Sequence, residues 1–354
     1  HEAFPTDLTD LEQPPNVAAQ ILLAAADRQL VTLQRTGDHG ARLRLRLPLL
    51  ASPASGRDWA WHVLPITLPP TVPPQAKLCT PTLRVKDGRV RIDLPFQIPI
   101  AFAPATGHVT GMGFDWGLNT LLTGAAGRLS DDGRVLCDGR PLTYDAGGIS
   151  AKLHRLRAER EHLAAKHRHQ QRLLTGITPA DPRYAQLAAA CRRVGVEHER
   201  LCARIRHLNK ALAWSAARWT VDQAVADAAT VIYLEDLATL EARGRRGRAN
   251  ARLSGQVRGQ IVEAIRHLAA KNGIAVVTVP ARGTSRYCPR CGEGTSRLRH
   301  CPAPDWLAER GWAWASCPVC GLSCDRDWAA AERILARGLL GQDATRTDRI
   351  TGAR

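Results

Sequence analysis

The chain has 354 residues, with 49 Lys and Arg against 33 Asp and Glu, so its formal net charge is +16. With 44% hydrophobic and 23% charged residues it has globular composition, which excludes wholesale disorder and leaves room for one large or two to three smaller domains. No stretch approaches the roughly 18 apolar residues of a membrane span, and the strong basic balance points to a nucleic-acid partner.

No secretion signal opens the chain, so the ten cysteines read as reduced thiols, of which clustered pairs bind metal and scattered ones act as small buried hydrophobes. The first residue is His1 and not Met, which suggests a natural start further upstream. Residues 1–108 carry most of the 22 prolines and several short alternating runs, and read as a β-rich region with one helix near Val17 to Arg28. Within it, Ala41 to Leu47 alternates strictly, placing Arg42, Arg44 and Arg46 on one strand face and Leu43, Leu45 and Leu47 on the other. A second run, Leu83 to Leu94, is broken by Asp87-Gly88, a hairpin signal that sends Arg84, Lys86, Arg89 and Arg91 toward solvent. These basic faces are either solvated or nucleic-acid-facing.

A new unit opens at Val109. Val109 to Asp115 reads as a strand that Leu118 to Thr123 continues, with further strands near Arg134 to Cys137 and Pro141 to Tyr144. Ile149 to about Thr175 has helical period with a Leu153, Leu156, Leu163 stripe, and after Asp181-Pro182 a longer helical stretch runs from Tyr184 to about Ala228. Together they form an antiparallel hairpin whose outer faces carry Arg155 and Arg168 among many other cations, a candidate phosphate-contacting surface. Thr230 to Leu237 is a short apolar strand ending in two acids. Gln256 to Lys271 is an amphipathic helix that leads through Asn272-Gly273 into a strand at Ile274 to Val279, the alternation of an α/β sheet. Between them, Glu241 to Arg252 is rich in arginine and glycine, includes Arg245 and Arg246, and reads as a loop. A cysteine-rich segment, Ser285 to Cys324, precedes a closing helix, Asp327 to Leu340.

Two constellations carry chemistry. Cys288-Pro-Arg-Cys291 and Cys317-Pro-Val-Cys320 are paired C-x₂-C knuckles, each followed by Gly, with the ligand spacing of one tetrahedral Zn²⁺. His300, Cys301 and Cys324 are spare ligands, and the neighbouring Arg286 and Arg290 suit phosphate contact. A closed four-cysteine site leaves no open position for catalysis. The second constellation is acidic: Asp115 and Glu235 at the ends of apolar strands, and Asp325 or Asp327 at the head of the last helix. Clustered there, carboxylates repel one another unless a cation such as Mg²⁺ neutralises them, and one or two such ions are the apparatus of phosphodiester hydrolysis. Taken singly, each acid is also a natural helix cap or salt-bridge partner.

Four segments in order resemble a known family: Gly113-Phe-Asp-Trp-Gly-Leu-Asn-Thr-Leu-Leu-Thr123; Ile232-Tyr-Leu-Glu-Asp-Leu237; Thr284-Ser-Arg-Tyr-Cys-Pro-Arg-Cys-Gly292; and Cys317-Pro-Val-Cys-Gly321 with Asp325-Arg-Asp-Trp-Ala-Ala-Ala331. They are similar to the RuvC motifs and inserted zinc ribbon of TnpB-like transposon nucleases and compact type V CRISPR effectors. The match runs over about residues 109–340. Trp116 and the basic hairpin look more like the CRISPR branch, including its binding-dominant type V-M members.

The resemblance implies an α/β RNase H-like (RuvC) domain with helical-hairpin and zinc-ribbon insertions, preceded by a β-rich wedge-like domain. The implied layout is wedge-like region 1–108, RuvC parts 109–148, 219–284 and 325–354, hairpin 149–218 and ribbon 285–324, with a recognition lobe upstream. It implies Asp115, Glu235 and Asp327 as the catalytic acids holding one or two Mg²⁺, one Zn²⁺ on the four cysteines, guide RNA and target DNA as partners, and the prokaryotic cytoplasm as the compartment. Where the family's last motif has Asn, this chain has Ala329, which leaves open whether DNA is cut or only bound and silenced. The other readings of the same residues are a guide-independent zinc-ribbon DNA-binding protein and a RuvC-fold recombinase or resolvase.

Overall fold

A computed structural model describes residues 20–22, 30–50, 52–86, 89–117, 120–236, 255–291 and 295–342. The chain divides into two units, His1–Pro99 and Ile100–Arg354.

The first unit is built of short antiparallel sheets. Its strands are β1 (Gln20–Leu22), β2 (Val31–Arg35), β3 (Gly40–Pro48), β4 (Trp59–Thr67), β5 (Lys77–Leu78), β6 (Thr82–Lys86), β7 (Arg89–Asp93) and β8 (Phe96–Gln97). They pair as β2-β3-β4, β1-β6-β7 and β5-β8. The strict alternation of β3 has the predicted effect. Leu43 and Leu45 are buried with Val31 against Leu33, Leu47, Ile66 and Ile92, while Arg42 and Arg44 are exposed. β6 and β7 pair antiparallel up to Lys86 opposite Arg89, and the Asp87-Gly88 turn expected between them lies outside the described residues.

The helix expected over Val17 to Arg28 is corrected by β1. Gln20, Ile21 and Leu22 pair antiparallel with Arg84, Leu83 and Thr82. The β6 edge offers unpaired backbone groups, and satisfying them outweighs a weak local helical preference. The rest of that stretch lies outside the described residues.

The second unit is a layered α/β structure. Its strands and helices are β9 (Thr110–Asp115), β10 (Leu122–Leu129), β11 (Val135–Cys137), β12 (Leu142–Tyr144), α1 (Gly147–Thr175), α2 (Tyr184–Ala226), β13 (Val231–Asp236), α3 (Gly255–Lys271), β14 (Ala275–Pro280), β15 (Arg299–Cys301), β16 (Trp314–Ser316), β17 (Ser323–Asp325) and α4 (Arg326–Leu340). The central sheet runs β11-β10-β9-β13-β14, with β12 also on β10. β9, β13 and β14 are mutually parallel and β10 is antiparallel to β9.

β10 corrects the expectation that Leu118 to Thr123 continues the first strand. After Trp116 the chain reverses, and Thr123 pairs back onto Asp115. The turn depends on Gly117, where a Cβ would stand 2.2 Å from the Thr120 carbonyl oxygen. No larger residue fits that reversal.

The sheet buries both faces, so its strands read as continuous apolar runs. Met112, Phe114, Ile232 and Leu234 face α2 and α3, packing on Ala213, Ala216, Ala217, Ile261 and Ile265. The alternate residues Val231, Tyr233, Val277 and Val279 face α4, packing on Ile334, Leu335 and Leu339. α4 lies almost on the backbone of β9, because a Cβ at Gly113 would be 2.5 Å from both the Ala331 carbonyl oxygen and the Leu335 nitrogen. Neither backbone atom can yield, so Gly113→Val should destabilise the fold by about 3 kcal/mol or more. Gly148→Ala, in open space on α1, should be neutral or slightly stabilising. Chemical denaturation of the two variants checks this.

α1 and α2 form the expected hairpin, with Leu153, Leu156 and Leu163 buried against Val194, Leu201 and Ile205. α2 then continues into the sheet layer, so one long helix serves both cores. No helix among the described residues is long and apolar enough to cross a membrane.

Candidate metal centres and nucleic-acid interface

Parallel pairing sets the acidic centre. β9 and β13 run side by side with Phe114 opposite Leu234, so Asp115 and Glu235 follow at neighbouring positions where both strands end. Both fall on the α4 side by alternation, and Asp327 enters from the first turn of α4. Gly117 sits beside this third acid, with a Cβ there falling 3.0 Å from the Asp327 Oδ2.

Of the two acids at the head of α4, Asp325 has other work. It caps the helix, accepting from the Asp327 amide at 2.9 Å and the Trp328 amide at 3.4 Å, and pairs with the Arg310 guanidinium at 2.8 Å. Asp327 is left to join Asp115 and Glu235.

The electrostatics show a site that resists its own charge. Burial holds the Asp115 carboxyl well above the carboxylate range, and the charges of Glu235 and Asp327 push it further. Burial also raises Glu235, against the Thr284 hydroxyl and the cations Arg258 and Arg337, and raises Asp327, aided by Asp325 and opposed by Arg326 and Arg310. Thr284 is buried and donates to Glu235 Oε1 at 2.5 Å, orienting it. Arg258, from α3 in the opposite layer, interacts with both Asp115 and Glu235, and its guanidinium lies 5.8 Å from the centre of the Trp116 ring.

The sequence reading missed Thr284 and Arg258 as site residues. Thr284 opens a quoted motif, whereas Arg258 has only helical spacing to mark it. An all-oxygen donor set with destabilised negative charge fits a hard divalent cation.

The thiol centre is tighter. The sulfurs of Cys288, Cys291, Cys317 and Cys320 all lie within 4.8 Å of one another, and among the described residues no other group of potential ligands converges so closely. The Cys288–Cys320 and Cys291–Cys317 separations are both 3.6 Å, close to the roughly 3.8 Å edge of a tetrahedron with 2.3 Å Zn–S bonds. Burial opposes a thiolate at Cys317. The Ser296 hydroxyl, 3.2 Å away, and the amides of Cys320 and Val319 overcome this and bring the thiol down to about 6. The four cysteines therefore fit Zn²⁺, and His300, Cys301 and Cys324 stand outside the cluster.

The ribbon is fastened to α4. Ala329 and Trp328 pack with Cys288, Leu298, Ala315 and Leu322, and Arg290 approaches the fully buried Glu332 at 3.7 Å. Ala329 is fully buried there. The position where the family's last motif has Asn therefore falls in the ribbon's apolar packing, where a polar amide would need a buried partner.

The predicted basic residues divide. Arg42, Arg44, Arg155, Arg168 and Arg286 are exposed, and Arg46 is half-buried. Arg290 is engaged with Glu332. Arg84 lies on β6 with its side chain outside the described residues, and Arg245 and Arg246 are outside them altogether.

No curated protein matches the chain. Among solved structures, Alicyclobacillus acidoterrestris C2c1 in complex with single-guide RNA aligns at TM-score 0.50 and 11% identity, over 87% of this chain and 54% of that one. CasPhi-2 (Cas12j) bound to crRNA aligns at 0.49 and 13%, over 85% and 62%. A Cas12f1–sgRNA–target DNA complex aligns at 0.33 and 12%, over 86% and 68%. The chain thus spans about half the length of C2c1, and that likeness is one of fold. Residues 259–334, which include all four clustered cysteines and Asp327, match the family described as Cas12f1-like, TNB domain, so the resemblance of this chain to compact type V CRISPR effectors rests on a family match as well as on a shared fold.

Proposed function

We propose that the chain acts in an RNA-guided DNA-targeting effector with a divalent-cation RuvC site. The observation that carries the reading is the convergence of Asp115, Glu235 and Asp327 from three separate elements, with the four-cysteine ribbon between the second and third. The sheet order supports it: with β12, which pairs on β10 off the main path, set aside, numbering the other five strands by sequence gives 3-2-1-4-5 with only the second antiparallel, the arrangement of an RNase H-like sheet.

In this reading residues 109–148, 219–284 and 325–354 form the RuvC domain, 149–218 the helical insertion, 285–324 the target-binding ribbon and 1–108 the wedge-like region. The partners are guide RNA and target DNA, and the compartment is the prokaryotic cytoplasm.

Asp115, Glu235 and Asp327 would hold one or two Mg²⁺, and Cys288, Cys291, Cys317 and Cys320 one Zn²⁺. Bound divalent cation supplies an activated water and a counter-charge for the leaving oxygen in phosphodiester hydrolysis. The chain's own residues prepare for this. Thr284 fixes the Glu235 carboxylate, Asp325 and Arg310 fix the helix start that carries Asp327, and Arg258 offsets part of the negative charge between Asp115 and Glu235. A zinc ion held by the four cysteines would be structural, closing the ribbon against which Ala329 and Trp328 of α4 pack. Sequence is read by pairing between guide and target, while arginines grip the backbone, which suits a charge of +16.

The test is the nucleic acid that copurifies. A discrete, structured RNA that survives moderate salt is expected. Heterogeneous nucleic acid stripped by moderate salt would replace this reading with guide-independent binding by a zinc-ribbon protein.

A further inference from the structure

The outer face of the β2-β3-β4 sheet combines charge with an open aromatic surface. Directly paired residues of an antiparallel sheet share a face. Arg42 stands opposite Gln34 and Pro65, Arg44 opposite Thr32 and Val63, and Arg46 opposite Trp61. The three strands contain no Asp or Glu. Trp61 is 40% exposed and Val63 is 54% exposed, whereas the other face of β3 is buried in the unit's own core.

The arginines are not taken up by acids. Among the described residues, Arg46 donates to the Gly56 carbonyl oxygen at 3.3 Å, and no ion pair is found at Arg42, Arg44 or Arg46. Arg44 reaches diagonally across the ladder to place its guanidinium 5.1 Å from the Trp61 ring centre. That contact orients the indole and brings a cation beside a π-surface.

A bare basic strip would grip the phosphates of any nucleic acid, paired or not. An exposed indole among the arginines adds a surface for a base, and only an unstacked base can use it. A solvated basic strand also has no need of an exposed Trp, whose apolar ring gains by being covered.

We propose that this sheet face binds an unpaired segment of the guide RNA, with Trp61 stacking one base and Arg42, Arg44 and Arg46 holding the flanking phosphates. The inference rests on the guide-RNA reading but adds to it a named surface and the unpaired state of the RNA it takes.

The experiment titrates the full chain with a short uridine-only RNA and with an RNA duplex of equal length, for wild type, Trp61→Ala, Trp61→Phe and the Arg42→Gln, Arg44→Gln, Arg46→Gln triple variant. Trp61→Ala should weaken binding of the uridine oligomer by about tenfold, the lower part of the range for one stacked base, and leave duplex binding within about twofold. Trp61→Phe should keep most of the affinity, and the triple variant should weaken both ligands with a flatter salt dependence. Ultraviolet cross-linking should join uridine to the peptide containing Trp61. Equal losses for oligomer and duplex, or unchanged oligomer binding by Trp61→Ala without cross-linking at Trp61, would overturn the proposal. Neither result touches whether a discrete RNA copurifies, so failure here is distinct from failure of the effector reading.

Discussion

Asp115→Ala should reduce whatever guide-directed cleavage the wild-type protein delivers in Mg²⁺ to background, while guide-directed binding of the DNA target persists. Asp115 is the most buried of the three acids and the one on which the other two act. In the proposed site its removal would take away both a ligand and the charge that draws a cation, and metal contributes several kcal/mol of transition-state stabilisation, so the expected loss is on the order of a thousandfold. In the proposed reading binding rests on backbone-gripping arginines and base pairing, and should survive. Efficient cleavage by an Asp115→Ala, Glu235→Ala double variant would contradict the assignment, because these are the two acids that the parallel pairing of β9 and β13 sets at neighbouring positions on the α4 side.

The same acids leave a thermodynamic signature that needs no cleavage. Their folded-state pKa values lie above those of the unfolded chain, so the folded, metal-free protein binds protons there more readily. Their contribution favours folding at low pH and turns against it as pH rises from the ordinary carboxylate range, about 4, through the raised values. Asp115→Asn should therefore raise the metal-free melting temperature near neutral pH and change it little near pH 4. Added Mg²⁺ should raise the wild-type melting temperature near neutral pH and leave that of Asp115→Asn nearly unmoved. Calorimetry with and without Mg²⁺ checks both signs.

The second large effect concerns zinc. Metal analysis should find about one Zn²⁺ per chain, and the Cys288→Ser, Cys317→Ser double variant should hold almost none. Structural zinc contributes on the order of 10 kcal/mol to domains of this kind, so the ribbon should unravel without it. The damage should spread beyond the ribbon. Ala329 and Trp328 of α4 pack among the ribbon residues, and Asp325 is at once the end of β17 and the cap of α4. Releasing the ribbon frees the segment that holds Asp327, so the double variant should also lose the Mg²⁺-dependent rise in melting temperature. Full zinc occupancy in that variant would show that other side chains are the ligands.

Much of this protein is legible in its sequence because local patterns encode which faces are buried. The 3.6-residue period of Leu153, Leu156 and Leu163 specifies a hairpin face, the alternation of Ala41 to Leu47 specifies one apolar and one basic strand face, and the two C-x₂-C knuckles specify a thiol cluster through short-range geometry. The position of Asp115 and Glu235 at the ends of apolar runs is equally local.

What only the tertiary structure decided is how distant elements meet. Gln20 to Leu22 became a strand because β6 offered an edge, a fact no window around residue 20 contains. The chain reverses after Trp116 because Gly117 admits the Thr120 carbonyl and β10 pairs back on β9. Asp325 and Asp327 are two residues apart with equal claims in sequence. Arg310 and the first amides of α4 engage one and leave the other to the acidic centre. Arg258 and Thr284 reach that centre from a different layer and from the foot of the ribbon. Periodicity fixes the face a residue presents, whereas its partner across the core depends on sheet order and helix placement, which are set by contacts between segments far apart in the chain.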